Sequence, residues 1–227
     1  MATASSRHTV KGPAGAIEAL LDRANSAAGA AGAAGATDAT DATDATARGL
    51  AVIAHPHPLY RGTMDNKVVH TLARAFVQCG WDAVRFNFRG VGQSEGEHDD
   101  GRGEIEDMLA VVEQVSDPGQ ALALAGFSFG AYVAASALSA LWPVRPAAKV
   151  VLVGIATSRF SVGTLPNGVV PKTLILHGEM DDTVPLSSVL DWARPQSLPI
   201  TVIPGAGHFF HGQLPLLRDL VVRHLRS

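Results

Sequence analysis

Apolar and polar positions fall into blocks along this chain, and the spacing within each block separates strands from helices. Residues 49–54 read Gly-Leu-Ala-Val-Ile-Ala, an unbroken apolar run that predicts a strand covered on both faces. Residues 66–79 instead place Val68, Val69, Leu72, Ala73, Phe76 and Val77 on one stripe at helical spacing, closed by Gly80. The same two patterns recur to the end of the chain. Strands are predicted at 82–88, 121–126, 149–155, 173–177 and 199–203, and helices at 104–115, 131–141, 187–193 and 214–225. Repeated strand–helix units predict an α/β architecture, a mainly parallel sheet with helices on both faces. In such sheets the residues that do chemistry gather just beyond the carboxyl ends of the strands.

Ahead of these units, residues 8–11 and 16–21 flank the turn Gly12-Pro13-Ala14-Gly15 and suit a β-hairpin at a sheet edge. A short helix over 16–24 is the alternative. Residues 25–47 then carry Gly-Ala-Ala repeats followed by Thr-Asp-Ala three times over. Their apolar residues are all alanine, so the segment cannot offset its ordering entropy by burying a face. Gly29, Gly32 and Gly35 also oppose a helix. The segment reads as a disordered low-complexity loop within a single domain spanning 1–227.

Composition narrows the picture further. At 227 residues, 47% hydrophobic and 17% charged, the chain can bury one sizeable core and is short for two. A net charge of -3 without a basic run argues against nucleic acid as a partner. No apolar stretch is long enough to span a bilayer, and the first ten residues lack the apolar centre of a secretory signal. Cys79 is the single cysteine, which excludes an internal disulfide framework; it reads as a small buried hydrophobe. The expectation is a soluble cytoplasmic protein.

The first candidate for chemistry is Ser128. An apolar strand runs into Gly126-Phe127-Ser128-Phe129-Gly130, a Gly-x-Ser-x-Gly turn followed by a small-residue helix. A sharp strand-to-helix turn pushes the serine hydroxyl out, and flanking glycines remove side chains that would collide with nearby backbone. The helix start aims N–H groups at developing negative charge, so the Phe129 N–H is a candidate oxyanion donor.

A serine hydroxyl needs a base within hydrogen-bond reach, and the base needs an acid to orient it. After the strand at 173–177 the chain reads His177-Gly178-Glu179-Met180-Asp181-Asp182-Thr183-Val184-Pro185, which offers two adjacent acids. Spacing alone does not choose between Asp181 and Asp182; the other is left a turn or capping role. After the last strand comes Pro204-Gly205-Ala206-Gly207-His208. His208 directly leaves the strand, whereas His211 begins the approach to the final helix, so His208 is the better base. His177 ends its strand and reads as a structural hydrogen-bonding residue.

The loop His55-Pro56-His57-Pro58-Leu59-Tyr60-Arg61-Gly62-Thr63 follows the strand positioned to supply a second oxyanion donor. Proline has no N–H, which leaves His57, the first choice, or Leu59. A zinc site would need three or four ligands, and no matched Cys, Glu or His pattern accompanies His55 and His57. They read instead as loop braces or pocket lining. Arg89-Gly90-Val91-Gly92-Gln93-Ser94-Glu95-Gly96 fails the dinucleotide fingerprint, because its third glycine comes one residue late. A tight loop beside the active site, anchored by Arg89, is the better account.

Together these segments resemble the α/β-hydrolase superfamily. The likeness is to small bacterial serine hydrolases with a His-Pro-His-Pro loop, distantly similar to dienelactone hydrolases. In that family's His-Gly-x-x-Asp-x-x-Val-Pro pattern the acid falls on Asp181, and the base on His208. The resemblance implies the α/β-hydrolase fold, no cofactor and no metal. Two departures stand out: Arg61 where relatives usually carry glycine, and Asn87 where many carry aspartate. Only residues 156–172 separate two strands at the place where larger relatives insert a cap, so no large cap domain is expected. The expected activity is hydrolysis of small or medium carboxylic esters or thioesters through an acyl-enzyme on Ser128. A serine peptidase or acyltransferase, or a non-catalytic binding module, is the alternative on the same fold.

Overall fold

The structure, a computed structural model, describes residues 5–24 and 47–227. The low-complexity segment read at 25–47 therefore lies almost wholly outside the described residues.

An eight-stranded sheet forms the centre, in the order β1-β2-β4-β3-β5-β6-β7-β8. The hairpin β1 (Ser5–Gly12) and β2 (Gly15–Asp22) stands at one edge, joined by a two-residue turn, and excludes the alternative helix over 16–24. β2 also runs antiparallel to β4 (Asp82–Phe86). From there β3 (Leu50–Ala54), β5 (Leu122–Phe127), β6 (Lys149–Val153), β7 (Thr173–Gly178) and β8 (Thr201–Ile203) continue in parallel.

Helices cover both faces, so each central strand must be apolar on both sides. Side chains alternate between faces along a strand. Accordingly Leu50, Val52 and Ala54 enter one core while Ala51 and Ile53 enter the other; β6 divides Val150 and Leu152 from Val151 and Val153 in the same way. The first core receives α2 (Arg102–Val115), α3 (Phe129–Leu141) and α4 (Leu186–Ala193). The second receives α1 (Lys67–Gln78) and α5 (Leu214–Arg226), with Cys79 buried between them. Asn66 starts α1 by accepting the Val68 N–H at 2.9 Å, and Gly80, at φ +82°, ends it.

Several ends differ from the sequence expectation for local reasons. α2 begins two residues early because the buried Glu104 carboxylate reaches back to the N–H groups of Asp99 and Gly101, at 3.0 and 2.8 Å. α3 begins at Phe129, immediately after Ser128. β4 ends at Phe86, and the Asn87 N–H then turns to the Glu18 carbonyl on the hairpin. β8 starts two residues late, since apolar character at Leu198 and Ile200 reports burial rather than strand pairing.

The loop over residues 89–96 is held chiefly from outside the site. Arg89 forks onto Asp107 of α2, with Nε and a terminal nitrogen at 3.0 and 2.8 Å. The hairpin clamps the other side: the Glu95 N–H donates to the Ala16 carbonyl, and the Gln93 N–H to the Glu18 carboxylate. Asn87 joins the brace, accepting from the Met64 N–H and donating to Glu18. Between β6 and β7 the chain carries only the short 3-10 turn Val170–Lys172, so no helical cap stands over the strand ends. None of the helices among the described residues is long and apolar enough to cross a membrane.

Candidate active site

Five of the sequence-identified residues, Ser128, Phe129, His57, Asp181 and His208, arrive at the carboxyl ends of β5, β3, β7 and β8. Ser128 has φ +57° and ψ −116°, outside the comfortable range of an L-residue. The turn holds it there because no side chain fits on either flank. A Cβ on Gly126 would strike the Gly130 carbonyl, and one on Gly130 would strike the Ala54 carbonyl. The Ser128 N–H is tied to the Val153 carbonyl at 2.8 Å, so the hydroxyl is aimed by backbone geometry.

His208 Nε2 lies 2.9 Å from Ser128 Oγ, and His208 Nδ1 lies 2.7 Å from Asp181 Oδ2. An ionised carboxylate only accepts, so Nδ1 carries the proton and Nε2 is left to accept from the serine hydroxyl. The imidazole also packs against Phe127, ring centres 4.9 Å apart. Asp181 Oδ1 takes the N–H groups of Thr183 and Val184 at 3.0 and 2.8 Å. Burial pulls the Asp181 pKa upward, but the bonds from His208 and the Val184 N–H outweigh it and hold the carboxyl below its ordinary value. Asp182 is exposed and meets only the Thr183 hydroxyl, at 3.3 Å. His211 is exposed too and stacked on Phe209.

The other histidines divide as braces and wall. His55 is fully buried; its Nδ1 donates to the Pro56 carbonyl at 2.6 Å and its Nε2 accepts the Phe88 N–H at 3.1 Å. It therefore ties the exits of β3 and β4 together in the neutral form, its pKa lowered to about 4 by burial, with the neighbouring His57 adding to the effect. His177, also buried, donates from Nε2 to the Val184 carbonyl at 2.9 Å, supporting the turn that carries Asp181. Burial lowers its pKa as well.

His57 caps the 3-10 turn Pro58–Tyr60, and its Nδ1 accepts the Leu59 N–H at 3.2 Å. That bond occupies Leu59 as a donor, while the His57 N–H makes no bond to another described residue. Its ring packs tilted against Phe129 at 4.9 Å and His98 at 4.7 Å, and burial, followed by the neighbouring His98, lowers its pKa.

These groups open onto a cleft of about 630 Å³, bordered by Ser128, His208, His57 and Phe129. Its walls include four residues that the sequence reading did not place there: Tyr60, Arg159, Phe160 and Phe209. Arg159 and Phe160 follow β6 closely, so the rule that sites gather at carboxyl strand ends pointed to them without a motif. Arg61 also borders the cleft.

Comparison with known proteins places the fold. A family model described as serine aminopeptidase S33 matches residues 59–161, a span that contains Ser128 but neither Asp181 nor His208. The protein XC6422 of Xanthomonas campestris, described as an α/β serine hydrolase without a lid, is 31% identical and superposes with a TM-score of 0.80, covering 100% of this chain and 95% of that one. An α/β serine hydrolase homologue from Coxiella burnetii is 35% identical at a TM-score of 0.78, covering 99% of each chain. The uncharacterized protein RP471 of Rickettsia prowazekii (strain Madrid E) is 33% identical over 171 residues, 71% of each chain. With identity above 30% sustained over whole chains and the same sheet beneath, this chain belongs to the α/β serine hydrolase family and is a hydrolase.

Proposed function

We propose that Ser128, His208 and Asp181 act as a catalytic triad that hydrolyses small or medium carboxylic esters or thioesters. The single observation that carries the reading is the unbroken chain from Ser128 Oγ through the imidazole to the Asp181 carboxylate, at 2.9 and 2.7 Å. Ser128 Oγ attacks the acyl carbonyl, and its proton passes to His208 Nε2 as the O–C bond forms. The carbonyl electron pair moves onto oxygen, where the N–H groups of Phe129 and His57 stabilise it. The C–O or C–S bond then breaks, and the imidazolium gives its proton to the departing alkoxide or thiolate. Water repeats the cycle on the acyl-enzyme, releasing the acid and restoring the serine. Asp181, held ionised, keeps the imidazole in the working tautomer and stabilises its charged form.

The family model's description favours a second reading, an aminopeptidase. That substrate presents a free ammonium, which needs a carboxylate partner once desolvated. Among the described residues bordering the cleft there is no Asp or Glu; the charged ones are Arg61 and Arg159. The absence of a cap also leaves the site open, which suits small or medium esters.

The experiment is labelling with a fluorophosphonate probe, followed by rates on p-nitrophenyl esters, acyl-CoA thioesters and aminoacyl p-nitroanilides. Labelling lost in Ser128→Ala, with ester or thioester turnover dominant, is the expected result. An unlabelled wild-type serine, or a Ser128→Ala variant that keeps its esterase rate, overturns the reading.

A further inference from the structure

The charge of the cleft is at odds with the charge of the protein. The chain carries a net charge of -3, yet the described residues bordering the cleft include two arginines and no Asp or Glu, the acids Asp100 and Glu104 acting only from beside His57. Some guanidinium groups elsewhere are matched, as Arg89 is with Asp107, Arg102 with Asp99 and Arg194 with Asp191, each at 2.8 Å, while others outside the cleft, such as Arg48, Arg74 and Arg223, are not matched among the described residues. Arg61 and Arg159 have no ion pair among the described residues. They stand on separate walls, Arg61 in the loop after β3 and Arg159 in the loop after β6, with Ser128 opening into the same cleft.

The backbone at Arg61 is a second, independent observation. It is left-handed, at φ +62° and ψ +26°, a conformation that glycine adopts freely and that costs a residue with a Cβ about 1 kcal/mol. A long cation kept where glycine fits without strain points to a use for the side chain. The remaining walls, Tyr60, Phe129, Phe160 and Phe209, provide apolar surface for the carbon skeleton between the two ends.

We propose that the cleft selects esters or thioesters bearing an anionic group, a carboxylate or a phosphate, held by Arg61 and Arg159 while the reacting carbonyl lies at Ser128. The inference rests on the Ser128 reading above and names its substrate class. Guanidinium is suited to either anion, since its planar donors match two oxygens at once.

The test compares p-nitrophenyl hydrogen glutarate with p-nitrophenyl pentanoate, matched in chain length, and adds p-nitrophenyl 4-phosphonobutanoate to distinguish the two anions. The wild type is expected to favour an anionic ester in kcat/KM by about tenfold. Arg61→Asn, which suits the left-handed backbone, and Arg159→Gln are each expected to lower that ratio about fivefold, and the double variant to abolish it. Arg159→Lys, which keeps the charge, should restore most of it. A wild-type ratio of one or less for both anions, or a ratio unchanged in the double variant, overturns the proposal. If the substituted proteins fail to fold, salt decides on the wild type: added NaCl should shrink the anionic advantage, and a flat ratio overturns it. If no ester is turned over, the Ser128 reading falls by itself. Calorimetric titration of the wild type with monomethyl glutarate against the neutral methyl pentanoate then still decides, with about tenfold tighter binding expected for the anion and equal binding contradicting it.

Discussion

His208 and Asp181 meet at 2.7 Å, whereas Asp182, one residue on, is exposed and bonds only the Thr183 hydroxyl. Two chemically identical neighbours are thus separated by which way the turn faces. Asp181→Asn is expected to lower kcat on a p-nitrophenyl ester by about 10³- to 10⁴-fold, because an amide at that place favours the wrong imidazole tautomer. Asp182→Asn should change it by less than about threefold, in keeping with an exposed side chain remote from the relay. Steady-state rates of the two variants, side by side, check the assignment.

Gly62 offers a test of the proposed oxyanion donor that leaves every polar side chain in place. A Cβ there would collide with the Pro56 carbonyl, in the peptide whose N–H belongs to His57. Gly62→Ala should shift that peptide and lower kcat by roughly 10- to 100-fold with Ser128 still labelled by fluorophosphonate. Wild-type turnover in a folded Gly62→Ala protein would separate the His57 N–H from the chemistry.

His55 makes folding sensitive to acid. Its pKa is about 4 in the folded protein against 6.5 in the unfolded chain. Between those values the unfolded chain binds a proton that the folded one refuses. Stability is therefore fully present above pH 6.5 and lost as the pH falls towards 4, by about 3 kcal/mol from this group. Urea unfolding of wild type and His55→Gln across this range should give a flatter pH dependence for the variant.

Arg89 and Asp107 form a buried pair, with side-chain exposures of 9% and 1%. Removing one partner strands the other charge. Asp107→Ala should cost about 3 kcal/mol in urea unfolding, most of it from the unpaired guanidinium. A loss below about 1 kcal/mol would mean that water or Glu106, now 3.8 Å from Arg89, takes over the charge.

Much of the architecture was legible in the chain because burial on both faces of a sheet writes itself as unbroken apolar runs. Residues 49–54 and 149–155 identified β3 and β6, and the stripe from Val68 to Val77 identified α1. Element ends were less legible. The start of α2 depends on Glu104 folding back to Asp99 and Gly101, and hydrophobic spacing carries no trace of that bond. The hairpin was readable from its turn, but its grip on the 93–95 loop was not, since the partners lie some 75 residues apart, as Glu18 and Gln93 do.

What the sequence determined by itself is local: strand and helix periods, the Gly-x-Ser-x-Gly turn, and the order serine, acid, histidine along the chain. Short-range sterics and apolar spacing suffice for these, because each acts within a few residues. Spacing alone left Asp181 and Asp182 open until the family pattern implied Asp181, and only the tertiary structure decided that its carboxylate faces His208, that Leu59 spends its N–H on His57, and that Arg61 and Arg159 border one cleft. Those outcomes depend on strand order and loop direction, which bring together groups 80 residues apart in the case of Ser128 and His208. No neighbouring residue in the chain encodes that proximity.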